Sequence, residues 1–112
     1  MSGCNKYKIE CENSKGANSF EELGLVAKLI AEELLSEYKY IYVFGSRWKG
    51  NWRYCSDFDF GIPENIEIIS QKATEYSKKF GVKIEFRNSY FFEQNPNQGL
   101  KINKTDVAQT IS

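Results

Sequence analysis

Hydrophobic positions along this chain switch between two periods, and the switches mark its elements. Leu23, Val26, Ala27, Ile30 and Leu34 recur every three or four residues and predict a helix from Ser19 to about Tyr38. Ser19 and Glu22 have capping-box spacing, while Gly24 weakens the first turn and allows a later start. Glu21, Glu22, Glu32, Glu33 and Glu37 read as its solvated face. Tyr38 to Phe44 is aromatic and β-branched, hence a strand, ended by Gly45-Ser46. Residues 47 to 55 read as a polar and aromatic connection, and Ser56 to Ile62 as a second strand stopped by Pro63.

Ile66, Ile69, Ala73, Tyr76 and Phe80 then keep helical spacing over Asn65 to Phe80, with Gly81 as a C-terminal stop. Val82, Ile84 and Phe86 alternate with Lys83, Glu85 and Arg87, which predicts a third strand able to run on as far as Phe92. Asn95-Pro96-Asn97 reads as a loop, and the tail from Leu100 as a short strand, a short helix or both. The order helix, strand, strand, helix, strand implies an α+β, two-layer fold: a small mixed β-sheet with helices packed on one face. Residues 18–112 are expected to form a single domain. A polar N-terminal segment, 1–17, precedes it, and there Tyr7, Ile9 and Cys11 alternate as in a short strand.

Composition narrows the chemistry. Of the 112 residues, 41% are apolar, enough for a core. Fifteen basic and fifteen acidic residues give a formal net charge of zero, which argues against a nucleic-acid binder working through bulk charge. The absence of histidine removes Ser-His and Cys-His nucleophiles. Three cysteines, Cys4, Cys11 and Cys55, match no zinc spacing and favour a reduced, cytoplasmic setting. Cys55 reads as a small buried filler. No apolar run reaches membrane-spanning length and no apolar signal core opens the chain, so no membrane partner is expected.

The densest chemistry lies in residues 44 to 62, FGSRWKGNWRYCSDFDFGI. Asp57 and Asp59 stand one residue apart, which on a strand puts both carboxylates on one face and leaves Phe58 and Phe60 for burial on the other. Like charges so placed repel unless a cation sits between them, and a hard divalent ion such as Mg2+ (or Mn2+) suits them. Gly45 lets a phosphate approach the backbone, Ser46 can donate to it, and Arg47, Lys49 and Arg53 supply positive charge. Alternation places Glu85 on the face of Asp57 and Asp59, where a third carboxylate can join a second metal or take a proton from an attacking hydroxyl. Pairing of Glu85 with Lys83 or Arg87 is the competing structural reading. Trp48, Trp52 and Tyr54 can stack on a base or on RNA, with packing of the loop the favoured role. Tyr90-Phe91-Phe92 reads as core or as a partner surface.

The run Gly45-Ser46-Arg47, a basic loop, then Ser56-Asp57-Phe58-Asp59-Phe60 resembles the minimal nucleotidyltransferases of the DNA polymerase β-like superfamily over roughly residues 19 to 87. The resemblance implies magnesium ligands at Asp57 and Asp59, and a phosphate cradle at Gly45 and Ser46. Arg47, Lys49, Arg53 and Ser56 would assist that cradle, and Glu85 stands where the family's third carboxylate is usually aspartate. It further implies transfer of a nucleoside monophosphate from a nucleoside triphosphate (NTP) to a hydroxyl on a protein side chain or an RNA end, with release of pyrophosphate. Small members often act in toxin–antitoxin or toxin–immunity systems, so a partner or self-association (a homo-oligomer) is expected. Two alternatives remain: a catalytically inactive, antitoxin-like binding module of the same fold, and a phosphohydrolase at the same metals. The sequence shows no C-terminal helical region to close over the base.

Overall fold

A computed structural model describes residues 16–50, 52 and 56–111. The expected strand near Tyr7, the side chain of Arg53, Tyr54 and all three cysteines lie outside the described residues. Four strands form one mixed sheet: β1 (Tyr40–Phe44), β2 (Phe58–Ile62), β3 (Ile84–Asn88) and β4 (Leu100–Asn103), in the order β3-β2-β1-β4. β1 runs antiparallel to both of its neighbours, and β2 runs parallel to β3. This is the α+β mixed sheet that the sequence implies. Ala17 already belongs to the core, and its N–H donates to the Trp48 carbonyl at 2.9 Å, so the domain begins at or before that residue.

Helix α1 (Leu25–Leu35) starts six residues later than its capping signal. Phe20–Glu22 instead makes a separate 3-10 turn, and Leu23 and Gly24 are extended. Glu22 does reach back, but to the Asn18 N–H at 2.7 Å, and the Ser19 side chain makes no cap. Glycine at the junction removes the helical preference that would have fused the two pieces. α3 (Ile66–Phe80) has the predicted limits. The Asn65 side chain accepts from the Ile68 N–H at 3.0 Å, and left-handed Gly81 closes the other end. Only Ile66 leaves the predicted apolar stripe, at 78% exposed in the first turn. Ser77 fastens α3 to β3 by accepting from the Ile84 N–H at 3.1 Å. Two of the acids read as solvated are tied down: Glu33 pairs with Lys79 and Glu37 with Lys72, each at 2.7 Å.

One face of the sheet carries Ile41, Val43, Phe58, Phe60, Ile62, Ile84 and Ile102 into a core with Val26, Ile30, Leu34, Ile69, Tyr76 and Phe80 from α1 and α3. The other face has a small apolar cover of its own. The sequence allowed β3 to continue to Phe92, but the chain folds there into a short helix, α4 (Tyr90–Gln94), started by the Asn88 side chain accepting from the Tyr90 N–H at 2.7 Å. Phe92, 1% exposed, stacks on Tyr42 and lies against Phe44, at centroid distances of 5.2 and 4.9 Å. Gly61 leaves room for it: a Cβ there would stand 2.7 Å from Phe92 Cε2. Phe92→Ala is therefore expected to destabilise the domain by about 3 kcal/mol, read as a lower denaturant midpoint at unchanged slope. The tail forms both a strand, β4, and a helix, α5 (Lys104–Ile111). No helix among the described residues is long and apolar enough to cross a membrane.

Candidate active site

β1 ends at Phe44, which pairs with Asp59 in the sheet, and Gly45 turns the chain away. Gly45 has φ +72° and ψ −156°, a conformation that side chains rarely tolerate. It also has no room for a side chain, because a Cβ would overlap Asp59 Oδ2. The Asp59 carboxylate is thus packed directly against the glycine backbone. A four-residue helix, α2 (Ser46–Lys49), follows within the stretch expected to be irregular, and its last turn closes through the Gly50 N–H to the Ser46 carbonyl at 2.8 Å.

Across the sheet, Asp59 pairs in register with Glu85. The two side chains share the face opposite Phe58, Phe60 and Ile84, as alternation required. Burial, then the charges of Glu85 and Asp57, push the Asp59 carboxyl up to about 6, with Lys83 and Arg87 partly offsetting them. Asp57 lies just ahead of β2 and pairs with Lys83 at 3.6 Å. The lysine that the sequence offered to Glu85 goes to Asp57 instead. Glu85 is exposed and has no ion-pair partner among the described residues.

The donor set can be tested against a metal. Asp59 and Glu85 are hard oxygen ligands side by side; burial first, and then repulsion from Glu85 and Asp57, raises the proton affinity of Asp59, and a divalent ion would relieve the repulsion. Among the described residues, however, no group of three or more acidic or cysteine side chains stands close enough to hold an ion. The two carboxylates fit a cation that keeps phosphate oxygens and water as its other ligands. Asp57 joins only if it exchanges Lys83 for that cation.

The basic residues separate. Lys49 is exposed at the end of α2, and Ser46 is partly buried at its start. Arg47 turns inward and is 1% exposed, with its guanidinium 3.7 Å from the Phe58 ring centroid and 4.4 Å from that of Trp52. Its Nη2 donates to the Ser56 carbonyl at 2.9 Å. It therefore ties the two ends of the connection to the helix-side core and does not face Asp59. The reason is that the four residues of α2 carry position 47 over the Phe58 side of the sheet. Trp52 is buried beneath it and Trp48 packs on the core, so both tryptophans serve packing. Arg47→Ala is expected to lower stability by about 2–3 kcal/mol through the lost stacking and the orphaned carbonyl. Nucleotide affinity should stay unchanged at a temperature where the variant is folded.

Two neighbours were not singled out by the motif. Arg87, two residues beyond Glu85 on the same face, sits with its guanidinium 5.6 Å from the Phe44 ring centroid and 4.9 Å from that of Phe91. Alternation along β3 did place Arg87 beside Glu85, but α4, which brings Phe91, was not legible. Comparisons with known protein families, curated proteins and solved structures returned no match for this chain.

Proposed function

We propose that this domain is a metal-dependent nucleotidyltransferase that moves a nucleoside monophosphate from an NTP to a hydroxyl. The observation that carries the reading is the in-register pair of Asp59 and Glu85 on parallel strands, with Asp59 set against Gly45. Two neighbouring carboxylates, one of them partly buried, suit a divalent cation that carries the phosphates of such a substrate. In this reading Asp59 and Glu85 hold Mg2+, with Asp57 joining them, and Lys49 and Ser46 meet the outer phosphates. The metal, when bound, offsets the charge of the phosphates and favours loss of the acceptor's proton. Glu85 accepts that proton, the acceptor oxygen bonds to the α-phosphorus, and the bond from α-phosphorus to the bridging oxygen breaks, releasing pyrophosphate. A protein side chain or an RNA end serves as acceptor. A cytoplasmic setting and a toxin–antitoxin or toxin–immunity partner follow from the same reading.

The test is transfer of label from each α-labelled NTP, with Mg2+ and total cell lysate, resolved on protein and RNA gels. A labelled band that disappears with Asp57→Ala/Asp59→Ala supports the reading and tells protein from RNA; absence of label with every nucleotide, from folded protein, refutes it. A non-catalytic binding module is the second reading, favoured by the engagement of Asp57 with Lys83. Glu85→Gln separates the two: an enzyme loses turnover, whereas a binding module keeps its partner affinity.

A further inference from the structure

Past the carboxylate pair, beside the α4 cover on the same face of the sheet, stands an exposed cation–aromatic pair. Arg87 lies one side-chain repeat beyond Glu85 on β3, so its backbone stands about 7 Å further along the same face. Its guanidinium lies 5.6 Å from the Phe44 ring centroid and 4.9 Å from that of Phe91, and Phe44 is itself the register partner of Asp59. Phe91 meets Phe92 edge-on, with centroids 5.0 Å apart at 87°, which fixes its plane while leaving the ring 39% exposed. A large apolar ring anchored in this way, beside an exposed guanidinium and next to acidic groups, has no packing role that requires its exposure.

We propose that Phe91 and Arg87 form the platform on which the base of a nucleoside triphosphate stacks while its phosphates lie at Asp59 and Glu85. This rests on the nucleotide reading of that carboxylate pair and adds the group that would recognise the base. An aromatic face and a guanidinium plane both stack on the π-face of a base and tolerate any base identity. A purine offers the larger π-face and is preferred to a pyrimidine. Glu85 and Arg87 share one face of β3 two residues apart, so one NTP laid along that strand can touch both ends.

The experiment is a calorimetric titration of the full chain, in Mg2+ buffer, with ATP, GTP, CTP and UTP, and separately with inorganic tripolyphosphate. The wild type is expected to bind ATP and GTP about tenfold or more tighter than tripolyphosphate. Phe91→Ala should bring all of these ligands to within about threefold of one another, and Phe91→Trp should keep the preference. Tripolyphosphate affinity should not change in either variant, and thermal melts establish that both are folded. Equal affinity of NTP and tripolyphosphate in the wild type, or a preference that survives Phe91→Ala, overturns the platform and leaves the phosphate site standing. Failure of both ligands to bind overturns the platform together with the nucleotide reading beneath it.

Discussion

Asp59→Asn is expected to cut nucleotidyl transfer sharply and, in metal-free buffer at neutral pH, to make the domain more stable. In the folded chain the Asp59 carboxyl is raised to about 6 by burial and by Glu85 and Asp57, from 3.8. An acid with a raised folded pKa binds its proton more tightly in the native state than in the unfolded one. Its contribution is therefore full below about pH 4 and is lost as pH rises through about 6. The full shift corresponds to about 3 kcal/mol, which solvent screening of a partly exposed carboxylate reduces to about 1–2 kcal/mol. Asparagine keeps the shape and has no proton to lose. Chemical denaturation between pH 4 and 7.5 should show the wild type losing that amount relative to the variant, and no divergence across the window would sink the assignment. Added Mg2+ should stabilise the wild type by mass action and leave Asp59→Asn unmoved. Turnover should fall about a hundredfold or more, since a charged ligand at the reacting phosphate is gone.

Gly45→Ala has the second large effect, and it acts on fold and site together. The backbone at φ +72° and ψ −156° costs a side-chain-bearing residue about 1–3 kcal/mol, or a fall in melting temperature of roughly 5–20 °C for a domain of this size. The methyl group has only one way to fit, by expelling the Asp59 carboxylate from its place against the turn. Activity and the pH dependence of stability should therefore be lost together. A Gly45→Ala protein that keeps wild-type melting and turnover would show that Asp59 is not held by this glycine.

Much of this arrangement was legible because it depends on parity. Alternation alone fixed Phe58 and Phe60 against Asp59, and Val82 and Ile84 against Glu85, so the two carboxylates could be placed on one face before the strands were known to be neighbours. α3 was legible because Asn65 and Gly81 both signal its ends. Two short helices were not. α2 spans only four residues, too few for a period, and without it Arg47 reads as a cation after a glycine-serine turn rather than as the buried clamp on Phe58. α4 begins in Tyr90-Phe91-Phe92, whose composition favours a strand, and it folds because Phe92 has a glycine-floored place to fill at Gly61. Both errors have one cause: tertiary burial decided the outcome where local preference was weak or opposed.

The central position of β1 bears on how the chain is made. Its Tyr-Ile-Tyr-Val-Phe run is uncharged and rich in strand-forming residues, and its second neighbour, β4, is synthesised long after it: Tyr40 waits for Asn103. Until then a nascent chain that has already zipped β1 to β2 presents β1 as a bare, sticky edge to the crowded surroundings of the ribosome. Premature termination anywhere ahead of Leu100 would leave that edge uncovered for good, so truncated products of this chain should aggregate rather than merely unfold.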